Sequence, residues 1–244
     1  MNPPLTITNL FPLAIAQVQL PVDPLDTAVL MQEILQQRDQ ARSNPDPGCA
    51  WTGDLQGVWQ FHRHAACGPL RRQLAAQAIA YLRSVGFDPD QVAVHVQRCW
   101  PVVSEPGQLV GRHHHPNAHL SAVYYLNGDG TGRSGALRLF PRQACNELVP
   151  GLAVGHGGPI DLTHPLNRPW FDVAPRAGLL VLFPSSTDHA VLVNEDEDRR
   201  FSISFDLVLT APAAGSATPA SPEYLSPHPS SWDPLLSSVE GAEA

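Results

Sequence analysis

The chain has 244 residues, 43% of them hydrophobic and 16% charged, which is enough apolar material for one sizeable core and the balance of a globular protein. Its formal charge is −8, from 15 Lys and Arg against 23 Asp and Glu with no basic run, which argues against nucleic acid or an anionic membrane surface as a partner. Four irregularly spaced cysteines, Cys49, Cys67, Cys99 and Cys145, form no C-x-x-C pair and no secreted disulfide framework. The N-terminus lacks the basic segment of a signal peptide and no apolar run reaches the length of a membrane span, so the expected location is the cytoplasm.

Residues from about 5 to 20 hold apolar stretches broken by Pro12 and Pro21, and read as an opening strand or two. A helix is expected from about Pro24 to Arg42, with Leu25, Val29, Leu30, Ile34 and Leu35 as its apolar stripe. A second begins at Pro69, places Leu70, Leu74, Ala78, Tyr81 and Leu82 on one face, and ends at Gly86, a suitable C-terminal cap. From about residue 91 the period changes to two. Val92, Val94 and Val96 alternate with polar neighbours, and further strands are expected at His119 to Asn127, Ala136 to Phe140, Trp170 to Val173, Leu179 to Phe183, His189 to Val193 and Arg200 to Leu209. Two helices followed by about seven short strands imply a mainly β (α+β) architecture, a double-stranded β-helix or jelly-roll barrel backed by the N-terminal helices. We expect one domain over residues 1–211 and a Pro-, Ser- and Ala-rich tail over 212–244 that is mobile or wraps the surface. The long loop from Gly151 to Trp170 is a candidate lid or oligomer contact, equally readable as a plain insertion, and leaves a homodimer open.

The chain carries 11 histidines, unevenly spread. Gly111-Arg112-His113-His114-His115-Pro116 packs three in a row, and in an extended segment His113 and His115 share a face while His114 points away. Pro116 biases His115 toward that extended geometry. An H-x-H pair is weak evidence by itself, since Phe61-His62-Arg63-His64 contains another with no companion pattern, and imidazole suits several metals. A third histidine, His189, opens a late strand, and one pair from an early strand with one ligand from a late strand is how a barrel assembles a three-point facial metal site. Asp188 is adjacent but faces the other way, and His119 reads as a surface histidine at a strand start. Downstream, Arg200, Ser202 and Ser204 alternate with Phe201, Ile203 and Phe205. If Arg200 faces inward it calls for an anionic partner, best a bidentate carboxylate; otherwise it meets solvent or the acidic run Glu195 to Asp198.

These features in this order resemble the 2-oxoglutarate and Fe(II)-dependent dioxygenase superfamily, from about Val92 to Leu209. Ala122-Val123-Tyr124-Tyr125-Leu126-Asn127 is similar to a prolyl-hydroxylase strand, and Ser134-Gly135-Ala136-Leu137-Arg138-Leu139-Phe140 resembles the superfamily's Gly-Gly-x-Leu-x-x-Phe segment. Gly178 to Pro184 resembles the strand before the distal histidine. The H-x-H-P motif with Leu120-Ser121-Ala122-Val123-Tyr124-Tyr125-Leu126 looks like a little-characterised oxygenase subgroup. The resemblance implies Fe(II) held by His113, His115 and His189, and 2-oxoglutarate as cosubstrate with its distal carboxylate on Arg200, helped by Tyr124 and Ser202. The implied partners are O2 and a small-molecule or peptide substrate. One departure is His115, which stands where the superfamily usually has a carboxylate and leaves an extra positive charge on the iron site. That leaves room for a cupin-like three-histidine metalloenzyme that does not use 2-oxoglutarate, or for a non-enzymatic metal- or ligand-binding barrel.

Overall fold

In the computed structural model, residues 5, 12–41, 44, 46–142, 160–161, 163–213 and 225–233 are described. The first strand, β1 (Ala16–Gln19), is followed by helix α1 (Pro24–Gln40), β2 (Trp51–Thr52) and helix α2 (Gly68–Ser84). Then come β3 (Ala93–Ser104), β4 (Val110–His113), β5 (Leu120–Tyr125), β6 (Leu137–Leu139), β7 (Phe171–Val173), β8 (Leu179–Pro184), β9 (His189–Val191) and β10 (Arg200–Thr210). They form a six-stranded sheet in the order β1-β8-β5-β10-β3-β2 and a four-stranded sheet in the order β4-β9-β6-β7. All the pairings between these strands are antiparallel, giving the double-stranded β-helix expected from the strand pattern.

Both helices have local reasons to start where they do. Asp23 caps α1 by accepting from the Leu25 amide at 2.8 Å, with Pro24 in the first turn, and Pro69 occupies the first turn of α2. Gly86 takes φ +91° just beyond α2, and the Phe87 amide closes back on the Leu82 carbonyl at 2.9 Å. Leu30 and Ile34 of α1 and Leu70, Leu74, Ala78 and Tyr81 of α2 are buried against one face of the large sheet. That face carries Leu120, Ala122 and Tyr124 of β5, Leu180 and Leu182 of β8, and Phe201, Ile203, Phe205 and Leu207 of β10.

The opposite face of the same strands looks into the barrel. Tyr125, Val181 and Phe183 meet Leu137, Leu139 and Val173 of the small sheet in a second apolar cluster. A register shift against β10 between Asp206 and Leu207 changes the alternation along β3. Val94 and Val96 therefore pack with the helices, whereas Arg98, Trp100 and Val102 turn toward the barrel, opposite Asp206, Ser204 and Ser202.

One short strand, β2, was not among the expected elements, and the early strand expected to carry the histidine pair, β4, ends at His113. Of the tail after residue 211, residues 225–233 run beside the end of β10, where the Ala211 amide donates to the Ser226 carbonyl at 2.8 Å, and the His228 ring meets His95 edge-on at 5.0 Å. Most of the 151–170 loop before residue 163, the opening segment before residue 12 apart from residue 5, and Cys145 lie outside the described residues. Among the described residues, no helix is long and apolar enough to cross a membrane.

Leu74 sits at the centre of the contact between α2 and the sheet, 2% exposed. Leu74→Ala should lower the unfolding free energy by about 2–5 kcal/mol in a urea titration, the cost of a buried leucine plus its cavity; a change below about 1 kcal/mol would mean that the helix layer is not packed as described.

Candidate active site

His113 ends β4, His189 opens β9, and the two are directly paired in the small sheet. His115 lies two residues beyond β4, where its amide donates to the Ser185 carbonyl at 3.0 Å. The three rings converge: centroids are 4.3 Å apart for His113 and His189, 5.0 Å for His115 and His189, and 5.2 Å for His113 and His115. One ring nitrogen from each lies within 4.8 Å of the other two. Trp100 packs on His115 and Phe183 on His189, so apolar rings back the cluster.

The other edge of each ring decides what the cluster can bind. His113 Nδ1 is 2.7 Å from the Gly111 carbonyl, His189 Nδ1 is 2.9 Å from the Thr187 carbonyl, and His115 Nδ1 is 2.6 Å from the Asp206 carboxylate. A carbonyl oxygen only accepts, so His113 and His189 donate from Nδ1 and keep a bare lone pair on Nε2. Burial pushes the His189 imidazole down to about 3, with the neighbouring His113 adding to the shift, and burial also lowers His113. Both rings are thus neutral near pH 7, the form that ligates a divalent metal. The donor set fits a first-row transition ion, with three nitrogens on one side and the cavity on the other.

The cavity beneath the rings is lined on its far side by Tyr125, Leu137, Val191, Arg200, Ser202 and Ser204. Arg200, only 1% exposed, is the largest fully buried side chain among the described residues. Its Nη1 donates to the Gly135 carbonyl at 2.9 Å, while Nε, the Tyr125 hydroxyl and the Ser134 hydroxyl are buried without a hydrogen-bond partner among the described residues. Burial lowers the Arg200 guanidinium from its ordinary value and raises the Tyr125 phenol to about 12. A buried cation beside unpartnered donors is costly unless an anion completes it, and a carboxylate matches the guanidinium fork. Gly135 permits the approach: at φ +91°, a Cβ there would stand 2.6 Å from the Leu192 carbonyl and 3.1 Å from Arg200 Nη1.

The sequence-derived candidates separate clearly. His113, His115, His189, Arg200 and Ser202 all line this one cavity. The expectation for Tyr124 needs correction. It pairs with Ile203 on the helix face of the large sheet and is buried there, whereas Tyr125, one residue on, reaches the cavity. Adjacent residues of a strand face opposite sides, and the two tyrosines in sequence gave no means to choose between them. His114 and Asp188 both point outward, 3.1 Å apart, and Asp188 also accepts from Arg112 at 2.7 Å, so Asp188 is not among the converging donors. His119 Nδ1 accepts from the Leu209 amide at 2.9 Å, a structural contact. His64 faces Glu33 at 3.3 Å, away from the site.

Besides Tyr125, a charged residue at the site was not anticipated. Asp206, fully buried on β10, contacts His115 through one oxygen and accepts from Arg98 Nε at 3.0 Å through the other. Burial would push its carboxyl up, but the hydrogen bonds and charges of His115 and Arg98 outweigh that and hold it below the ordinary range. The signal was the alternation itself, which runs on from Arg200, Ser202 and Ser204 to Asp206.

Residues 98–206 match the protein family described as "Putative 2OG-Fe(II) oxygenase". No curated protein sequence matches the chain. Among solved structures, a Pseudomonas putida prolyl-4-hydroxylase is similar at 20% identity and a TM-score of 0.50, with 80% of this chain and 92% of that chain covered. SnoN, a non-haem alpha-ketoglutarate-dependent epimerase from nogalamycin biosynthesis, is similar at 17% identity and a TM-score of 0.54, with 88% and 90% covered. SnoK, a carbocyclase from the same biosynthesis, is similar at 16% identity and a TM-score of 0.54, with 85% and 88% covered.

Because the Tyr125 hydroxyl is buried without a partner, removing it should not harm the ligand-free fold. Tyr125→Phe should leave the ligand-free unfolding free energy unchanged or raise it by up to about 1–3 kcal/mol. A loss of more than about 1 kcal/mol would mean that the hydroxyl is already satisfied.

Proposed function

We propose that this chain is a 2-oxoglutarate-dependent non-haem iron dioxygenase hydroxylating an amino acid, peptide or small metabolite, a reading supported by the family match over residues 98–206. His113, His115 and His189 would hold Fe(II) through Nε2, and Arg200 would hold the distal carboxylate of 2-oxoglutarate, with Ser202 and Tyr125 as hydrogen-bonding neighbours. When bound, Fe(II) and 2-oxoglutarate together supply O2-dependent oxidation, in which one oxygen atom enters the substrate and the other enters the succinate formed with CO2.

The observation that carries this reading is the cavity that joins three converging imidazoles to a buried guanidinium whose Nε has no hydrogen-bond partner among the described residues. Each group of the chain has a task. Gly111 and Thr187 carbonyls hold two ring tautomers, Trp100 and Phe183 fix ring planes, and the Leu137 and Val191 side chains keep water from the cosubstrate's carbon chain. Free thiols at Cys49, Cys67 and Cys99 support a reducing compartment, the cytoplasm.

Anaerobic protein given Fe(II) and 2-oxoglutarate should develop the visible metal-to-ligand charge-transfer band of the chelated keto acid, and on admission of air it should form succinate. Arg200→Ala should weaken 2-oxoglutarate binding by at least about 30-fold, the loss expected for a buried charge-assisted pair, and His189→Ala should abolish the band. No band and no succinate from the native protein would overturn the proposal. A metal-dependent activity that survives Arg200→Ala would instead favour the three-histidine metalloenzyme that works without 2-oxoglutarate.

A further inference from the structure

Three neutral imidazoles leave a divalent ion with its full +2 charge, and among the described residues the site offers no carboxylate as a direct ligand. A carboxylate does stand immediately behind one ligand. Asp206 Oδ1 lies 2.6 Å from His115 Nδ1, short for an N–H···O contact and typical of a charge-assisted one. The Ser121 hydroxyl, 3.1 Å from the same ring nitrogen and 2.8 Å from Ser185, closes the remaining space around it.

The other oxygen of Asp206 accepts from Arg98, which at first sight would cancel its charge. Arg98 has a second acidic partner, however: its Nη1 is 3.6 Å from Asp54 Oδ2. The row Asp54, Arg98, Asp206 therefore carries one net negative charge, and its inner end is the oxygen facing His115. An ion pair that only tied β3 to β10 would need no oxygen turned inward, and Asp206 has none exposed. Carboxylates placed behind a ligating histidine fix its tautomer and raise its basicity toward the metal.

We propose that Asp206 is a positioning residue that restores to this site the negative charge which a direct carboxylate ligand would otherwise bring, delivering it through His115. It holds the proton on His115 Nδ1, turns Nε2 to the cation and makes that imidazole a stronger donor. Arg98 and Asp54 keep the carboxylate in this orientation. The inference rests on the reading of the three histidines as metal ligands given above.

Cobalt(II) titration of the metal-free protein, followed by its ligand-field absorption, separates the two. Asp206→Asn should weaken Co(II) binding about 10- to 100-fold and shift the bands, as for other residues behind a metal-bound histidine. His114→Ala, which removes the comparable but outward contact with Asp188, should change neither. His115→Asp should set two carboxylates against each other and lose affinity, and the double variant His115→Asp/Asp206→Asn should regain at least about tenfold of it. If the native protein gives no Co(II) spectrum that His189→Ala abolishes, the metal reading fails and this inference falls with it. If the native spectrum is present but Asp206→Asn keeps its bands and stays within about twofold in affinity, the inference alone is overturned. Should Asp206→Asn fail to fold, 15N-histidine NMR of the native metal-free protein decides, with the ring assigned through His115→Gln: a proton on Nδ1 supports the proposal and one on Nε2 overturns it.

Discussion

A single face of β10 carries a guanidinium, two hydroxyls and a carboxylate into a barrel whose walls are otherwise largely apolar, and burial obliges each polar group to find a partner. Asp206 finds its partners within the chain, in His115 and Arg98. Among the described residues, Arg200 donates to the Gly135 carbonyl, its Nε has no partner, and the side chain lines a cavity. The two ends of one strand face thus have opposite characters: the inner row is closed by the protein at the Asp206 end, beside the three histidines, and lines a cavity at the Arg200 end.

The rest of the architecture serves that strand. The large sheet places β10 between β3 and β5, so both of its edges are hydrogen bonded and its register is fixed on each side. Phe201, Ile203, Phe205 and Leu207 anchor the opposite face under α1 and α2, where apolar burial offsets the cost of the polar row. A one-residue slip would send the phenylalanines into the cavity and Arg200 under the helices, so the helix layer protects the chemistry as well as the fold.

The small sheet contributes the histidines. His113 and His189 are cross-strand partners, which brings their rings close without any loop having to close over them, and His115 joins from the turn beyond β4. Donation from Nδ1 to main-chain carbonyls makes two of the three donors independent of other side chains. Only His115 depends on a side chain, and that side chain lies in the other sheet. The histidine cluster is therefore also where the segment beyond β4 is tied to β10 of the large sheet.

Local spacing in the sequence determined a good deal. Period two after residue 91, proline at the starts of both helices, the i and i+2 placement of His113 and His115, and the run Arg200, Ser202, Ser204 all follow from backbone geometry that neighbouring residues dictate. What needed the tertiary structure was every choice between two faces and every pairing between distant strands. Tyr124 and Tyr125 are equivalent in sequence, and only the packing of α2 on the sheet makes one core and the other cavity lining. The register shift opposite Asp206 puts Val94 and Val96 on the helix side and Trp100 inside, although unbroken alternation would have placed all three together. Asp206 and His115 are 91 residues apart, and nothing in the local chain links them; their contact exists because β5 and β10 pair and the chain after β4 folds across their end. Alternation is a property of one strand, whereas partnership between strands is a property of the closed barrel.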